Sequence, residues 1–213
     1  MPRVAAAQTA AEKKSLHASE RDTERVEKLR AEYREQISAC EVSRLKFVDE
    51  AGATLALTRL YGRAAPGQRV VDAVPQNYGS SQTMLGALSV DGVGAPWVIE
   101  GAVDGQVFRL WVKEVLGPTL RPGDVVVMDN LQADKVSGIE EEIKGRGARL
   151  IYLSPYSPDF NPIEKCWSKI KTYLRQAKAG TIEVLMEAIK QALATITAAD
   201  ACAWFAHCGY TLH

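Results

Sequence analysis

At 213 residues the chain is long enough for one sizeable domain, and 46% hydrophobic with 24% charged residues excludes an intrinsically disordered segment. Lys plus Arg and Asp plus Glu both number 26, so net charge points to no polyanionic partner, and a nucleic-acid surface must come from local segregation of charge. No apolar run approaches the roughly 18 to 20 residues that cross a bilayer and the N-terminus lacks a secretory core, so the expectation is a cytoplasmic protein without membrane contact.

Residues 1–42 read as a charged N-terminal helix and linker, and 43–213 as the main domain. Between Glu12 and Glu35 seven basic side chains alternate with seven acidic ones. Val26, Leu29, Tyr33 and Ile37 recur at helical steps, which predicts an amphipathic helix with a solvated, ion-paired face. "SRLKFVDEAGATLALTRLYG" has two apolar runs split by Gly52, predicting a strand ending at Asp49-Glu50, a tight turn and an antiparallel return strand. "SQTMLGALSVDGVGAPWVIEG" places Asp91-Gly92 between apolar runs, a second hairpin.

Beyond residue 102 helices and strands alternate. Val107, Leu110, Trp111, Val115 and Leu116 predict a helix that stops at Gly117-Pro118. "DVVVMDN" is a wholly apolar run closing on Asp129-Asn130, as a strand buried on both faces would read. "ADKVSGIEEEIKGRG" is a helix, "ARLIYLS" another buried strand, and the chain after Pro162 is helical. Hairpins followed by β-α-β-α predict a mixed α/β sheet flanked by helices. Cys40, Cys166, Cys202 and Cys208 form no C-x-x-C, and Cys202, His207 and Cys208 lie on an Ala/Trp/Phe-rich segment that reads as core more readily than as a zinc site.

Chemistry is expected where strands end, because strand tips are rigid yet open to solvent. Asp49 and Asp129 close apolar strands, where an ionised carboxylate is costly unless something stabilises its charge, and a divalent metal is the commonest strong stabiliser. Each also has a plain structural reading, Asp49 as the start of the Gly52 turn and Asp129 as a helix cap. Glu164 has one as well. In "NPIE", Asn161 can cap a helix whose first residue is Pro162, with Glu164 at its third position closing a capping box. The sharper reading brings the three acids together as an oxygen cage for two Mg²⁺ or Mn²⁺ ions, which activate a water and steady the leaving oxygen at phosphorus. Lys165, Lys169, Lys171, Arg175 and Lys178 follow Glu164 with no acid among them, a local basic segment suited to phosphates.

These stretches carry a resemblance. "FVDEAGA", "YGRAAPGQR", "VVMDN", "LSPYSPDFNPIE" and "WFAHCGY", with 34 residues between Asp129 and Glu164, resemble the catalytic domain of bacterial insertion-sequence transposases of the Tc/mariner superfamily. The resemblance implies a ribonuclease-H-like fold and an Asp49, Asp129, Glu164 metal triad, with Asn130 and Asn161 orienting ligands or phosphate. It implies a DDE endonuclease that hydrolyses double-stranded DNA at transposon ends and transfers the freed 3′-hydroxyl to target DNA, as a homodimer associated with the nucleoid. Asp134 stands where such enzymes commonly carry His. Relatives also carry helix-turn-helix modules ahead of the catalytic domain, so the chain reads as the downstream frame of a two-frame element or as a truncated copy. It would rely on a separate helix-turn-helix polypeptide or frameshifted N-terminal portion for end recognition. The alternative is a non-catalytic remnant that dimerises or competes with intact transposase through its charged N-terminal helix.

Overall fold

A computed structural model describes residues 18–129 and 138–211. Asn130, Asp134, Lys13 and Lys14 lie outside the described residues. The sheet has five strands in the order β3-β2-β1-β4-β5. β1 (Leu45–Ala53), β2 (Gln82–Ser89) and β3 (Gly92–Glu100) pair antiparallel, whereas β4 (Val125–Met128) and β5 (Arg149–Tyr152) run parallel to β1. The mixed α/β sheet expected from the order of elements is therefore present, and Ser89 pairs with Gly92 around the expected Asp91 turn.

Strand side chains alternate between faces, and the two faces have different coverings. Leu45, Phe47, Ala51, Val125 and Val127 point to a core built with α1 (Glu24–Ser38), α4 (Ile163–Ala177), α5 (Ile182–Ala194) and α6 (Ala198–His207). Trp167, Ile170, Leu174, Leu185, Ile189 and Phe205 supply its helical side. Val48, Leu85, Val126 and Met128 point the opposite way, onto α2 (Gly105–Trp111), the π-helical turn Val112–Leu116 and α3 (Ile139–Gly145). In α2 it is Phe108 that turns inward, while Leu110, one of the residues whose spacing predicts the helix, is exposed.

The expected turn at Gly52 is not there. β1 continues through it, with Gly52 opposite Thr83 and Ala53 opposite Gln82, and no strand follows before β2. Pairing with β2 supplies the backbone partners that a local turn would have supplied, so a long-range ladder overrides a short-range signal. Asp49 thus lies inside a strand and not at its tip. Of the helix expected from Glu12 to Glu35, residues 12–17 lie outside the described residues, Ser19–Asp22 form a 3-10 turn, and the α-helix runs from Glu24 to Ser38 with Val26, Tyr33 and Ile37 buried.

Candidate active site

The parallel ladder between β1 and β4 ends at the pair Val48 and Met128. The next residues are Asp49, within β1, and Asp129, just past the end of β4, so the two acids sit at the same level on adjacent chain segments. Period-2 alternation puts Asp49 on the face of Phe47 and Asp129 on the face of Val127, the side covered by α4. Asp49 is bordered on its other side by Gly86 of β2, its antiparallel partner. Gly86 falls where the β2–β3 register shifts, and a Cβ placed there would lie 3.2 Å from Cη2 of Trp167. The absent side chain lets the Trp167 indole press against the sheet beside Asp49. Glu164 lies one helical turn before Trp167, at the exposed N-terminal end of α4.

The charges of the other two acids reach Asp49. Burial, opposed by the Glu50 backbone N–H and reinforced by the negative charges of Glu164, Asp129 and Glu50, pushes the Asp49 carboxyl up to about 7. The charges of Asp129 and Glu164 reaching a half-buried Asp49 mark a locus of excess negative charge. Their donor set is oxygen only, which suits Mg²⁺ or Mn²⁺. Among the described residues no three acids, histidines or cysteines lie close enough to hold an ion as they stand. Like charges draw together about a cation and repel without one.

Glu164 is not engaged in a capping box. The Asn161 N–H donates to the Pro158 carbonyl at 3.1 Å, and the Glu164 N–H donates to the Asn161 carbonyl at 3.2 Å. No side-chain cap bond forms at this helix start, and Asn161 Oδ1 is buried without a hydrogen-bond partner. The prolines do constrain the approach: Pro158 opens a 3-10 turn over Pro158–Phe160, and Pro162 holds φ −64° before α4.

The basic residues after Glu164 separate into two groups. At about 100° per residue, Lys171 and Arg175 lie within about 20° of Glu164 around the helix axis, while Lys165 and Lys169 lie about 100° and 140° away. Lys169 donates to Asp200 Oδ2 at 2.7 Å and to the Thr195 carbonyl at 3.0 Å, tying α4 to the capped start of α6. Lys169 is thus already paired within the chain, which the run of positive charge did not reveal. Lys165 lines a shallow groove with Glu164, Ser168, Asp159 and His207. Gly86 was missed in the sequence, although a glycine inside the apolar run "QTMLGALS" is a recognisable sign of close approach.

Residues 44–186 match the family described as DDE superfamily endonuclease, a span that includes Asp49, Asp129 and Glu164. The chain belongs to this family. Its fold is ribonuclease-H-like, as in the Mos1 mariner transposase. A Mos1 transposase paired-end complex with left transposon end superposes with TM-score 0.74 at 13% identity, over 92% of this chain and 63% of that one. The catalytic domain of Mos1 mariner transposase alone gives TM-score 0.63 at 11% identity, over 92% of this chain and 91% of the domain. A mariner Mos1 paired-end complex with Mg gives TM-score 0.71 at 13% identity, over 97% of this chain and 66% of that one. The chain therefore spans about two-thirds of the whole transposase and nearly all of its catalytic domain. No curated protein matches in sequence. Among the described residues no helix is long and apolar enough to cross a membrane.

Proposed function

We propose that this chain is the catalytic domain of a transposase that cleaves DNA phosphodiesters at transposon ends and joins the freed 3′ end to target DNA. The observation that carries this reading is the placement of Asp49 beside Asp129 on the α4-covered face of a DDE endonuclease fold, where burial and the charges of Glu164 and Asp129 raise the Asp49 carboxyl. Asp49, Asp129 and Glu164 are the residues that would hold two Mg²⁺ or Mn²⁺ ions; such ions, when bound, neutralise charge at the phosphodiester and activate a water or hydroxyl. The remaining work falls to the chain. The sheet holds two acids side by side, α4 brings the third, and the proton favoured by Asp49 near neutral pH must leave before that carboxylate can act as a ligand. The buried acceptor of Asn161 at the foot of α4 suits a helper that orients a water or ligand near Glu164. Lys171 and Arg175, on the Glu164 side of α4, and Lys165 beside it would take the phosphates of double-stranded DNA.

Recognition of transposon ends would come from a helix-turn-helix portion supplied in cis or by a separate polypeptide, with two copies of the catalytic domain acting on paired ends. The packing of Tyr33 and Ile37 into the chain's own core favours this reading over a remnant that offers α1 to another protein. The test is Mn²⁺-dependent nicking of an end-bearing duplex, with the end-binding portion added. Nicking by the wild type that falls more than about 100-fold in Asp129→Asn is expected, since even outer partners of a metal ligand cost 10- to 100-fold. Unchanged nicking in Asp129→Asn overturns the assignment.

A further inference from the structure

Resting on that reading of Glu164, we infer that Arg30, in the charged N-terminal helix, is a positioning residue for the third acid. It acts through the loop that delivers α4. This loop, residues 153–162, has little regular structure to hold it. Tyr156 takes a left-handed φ of 53°, and the internal bonds beyond the 3-10 turn are Ser157 to the Pro155 carbonyl and Ser154 to Ser157. A segment with so few contacts of its own needs an outside frame if its end is to be placed within a fraction of an ångström.

Both ends of the chain supply that frame. Arg30 is 7% exposed, and its Nη1 donates to Ser157 Oγ at 2.6 Å and to Asp159 Oδ1 at 3.1 Å. Its Nη2 donates to Asp159 Oδ2 at 2.7 Å, completing a two-pronged pair, and its guanidinium lies 4.1 Å above the Phe160 ring. Tyr33 stacks on Phe160 with ring centres 5.5 Å apart and planes 15° from parallel. From the other end of the chain, Tyr210 donates to the Phe160 carbonyl at 2.6 Å, and the two tyrosine hydroxyls meet at 2.8 Å. Phe160, one helical turn before Glu164, is thus held by its ring and its carbonyl together.

The chemistry favours aiming over bulk stabilisation. Burying a guanidinium carries a desolvation cost that an apolar side chain of similar size avoids, so an ion pair here is a weak source of net stability. A planar fork on a carboxylate fixes distance and angle together, which an apolar contact does not.

Manganese binding read from the EPR signal of free Mn²⁺ tests the role in a double-mutant cycle. Wild type, Arg30→Met, Glu164→Gln and the double variant are compared as full chains, each shown by thermal melting to be folded at the titration temperature. Arg30→Met is expected to weaken Mn²⁺ binding about 10-fold and to cost nothing further once Glu164 is Gln. Hydrogen exchange at the amides from Ser157 to Glu164 should accelerate in Arg30→Met while β1 and β4 stay protected. If Arg30→Met fails to fold, Tyr210→Phe takes its place in the cycle, since it keeps the ring and removes the hydroxyl that bonds the Phe160 carbonyl and Tyr33. Equal losses in both backgrounds, or no loss in either, overturn the positioning role and leave the metal site standing. Wild-type affinity in Glu164→Gln overturns the metal reading of Glu164, and the positioning role with it.

Discussion

Two of the three acids and the third are placed by different means. Asp49 and Asp129 are set by a backbone ladder: once Val48 pairs with Met128, the following residues have nowhere else to go. Glu164 is set by side chains, through a loop whose anchors come from α1 and from Tyr210. A ladder resists single substitutions because each residue contributes one increment among many. A side-chain frame concentrates placement in a few contacts and yields when one is removed. The molecule thus has a stiff half and an adjustable half of one site.

Gly86→Ala attacks the junction between them. The new methyl would press on Trp167, and overpacking of this kind costs about 1–3 kcal/mol, or several degrees in melting temperature. Exchange should rise at the start of α4 and stay slow in β1, because the helix can shift and the ladder cannot. Faster exchange in β1 than in α4 would reverse the assignment of stiff and adjustable parts.

Asp49→Asn isolates the strand side. A carboxylate with its folded pKa raised to about 7 binds more protons folded than unfolded, so its contribution makes the metal-free protein lose stability as pH rises from about 4 to about 7. The variant should show a flatter profile. It should exceed the wild type at pH 7 by about 1–3 kcal/mol, discounted from the full shift because the group is only partly enclosed. Urea unfolding at pH 5 and pH 7 checks the sign; a variant less stable than wild type at pH 7 means that burial and neighbouring charge do not raise the Asp49 carboxyl.

The smallest effect concerns the helix side. Lys171→Gln or Arg175→Gln should lower the slope of log binding constant against log salt by about 1 for duplex DNA, whereas Lys169→Gln should leave the slope alone and reduce stability. Equal slopes for all three would place Lys169, with its bond to Asp200, among the phosphate contacts after all.

What the sequence disclosed follows the same division. The β2–β3 turn, the buried β4 run ending at Asp129 and the family resemblance in "SPDFNPIE" are short-range patterns, and they were legible. Gly52 misled because its strand partner, Thr83, is distant in sequence and outweighs a local turn. "NPIE" read as a capping box because spacing alone does not show that the Asn161 N–H is already taken by Pro158. Arg30 sat unnoticed among balanced charges, since its partner Asp159 is 129 positions away and only folding brings them together.

The most direct test of the account is an anomalous difference map from crystals grown with Mn²⁺ and transposon-end DNA. The account predicts metal peaks touched by carboxylate oxygens of Asp49, Asp129 and Glu164. Peaks that leave any of the three acids without a contact, or that lie elsewhere on the domain, would contradict it.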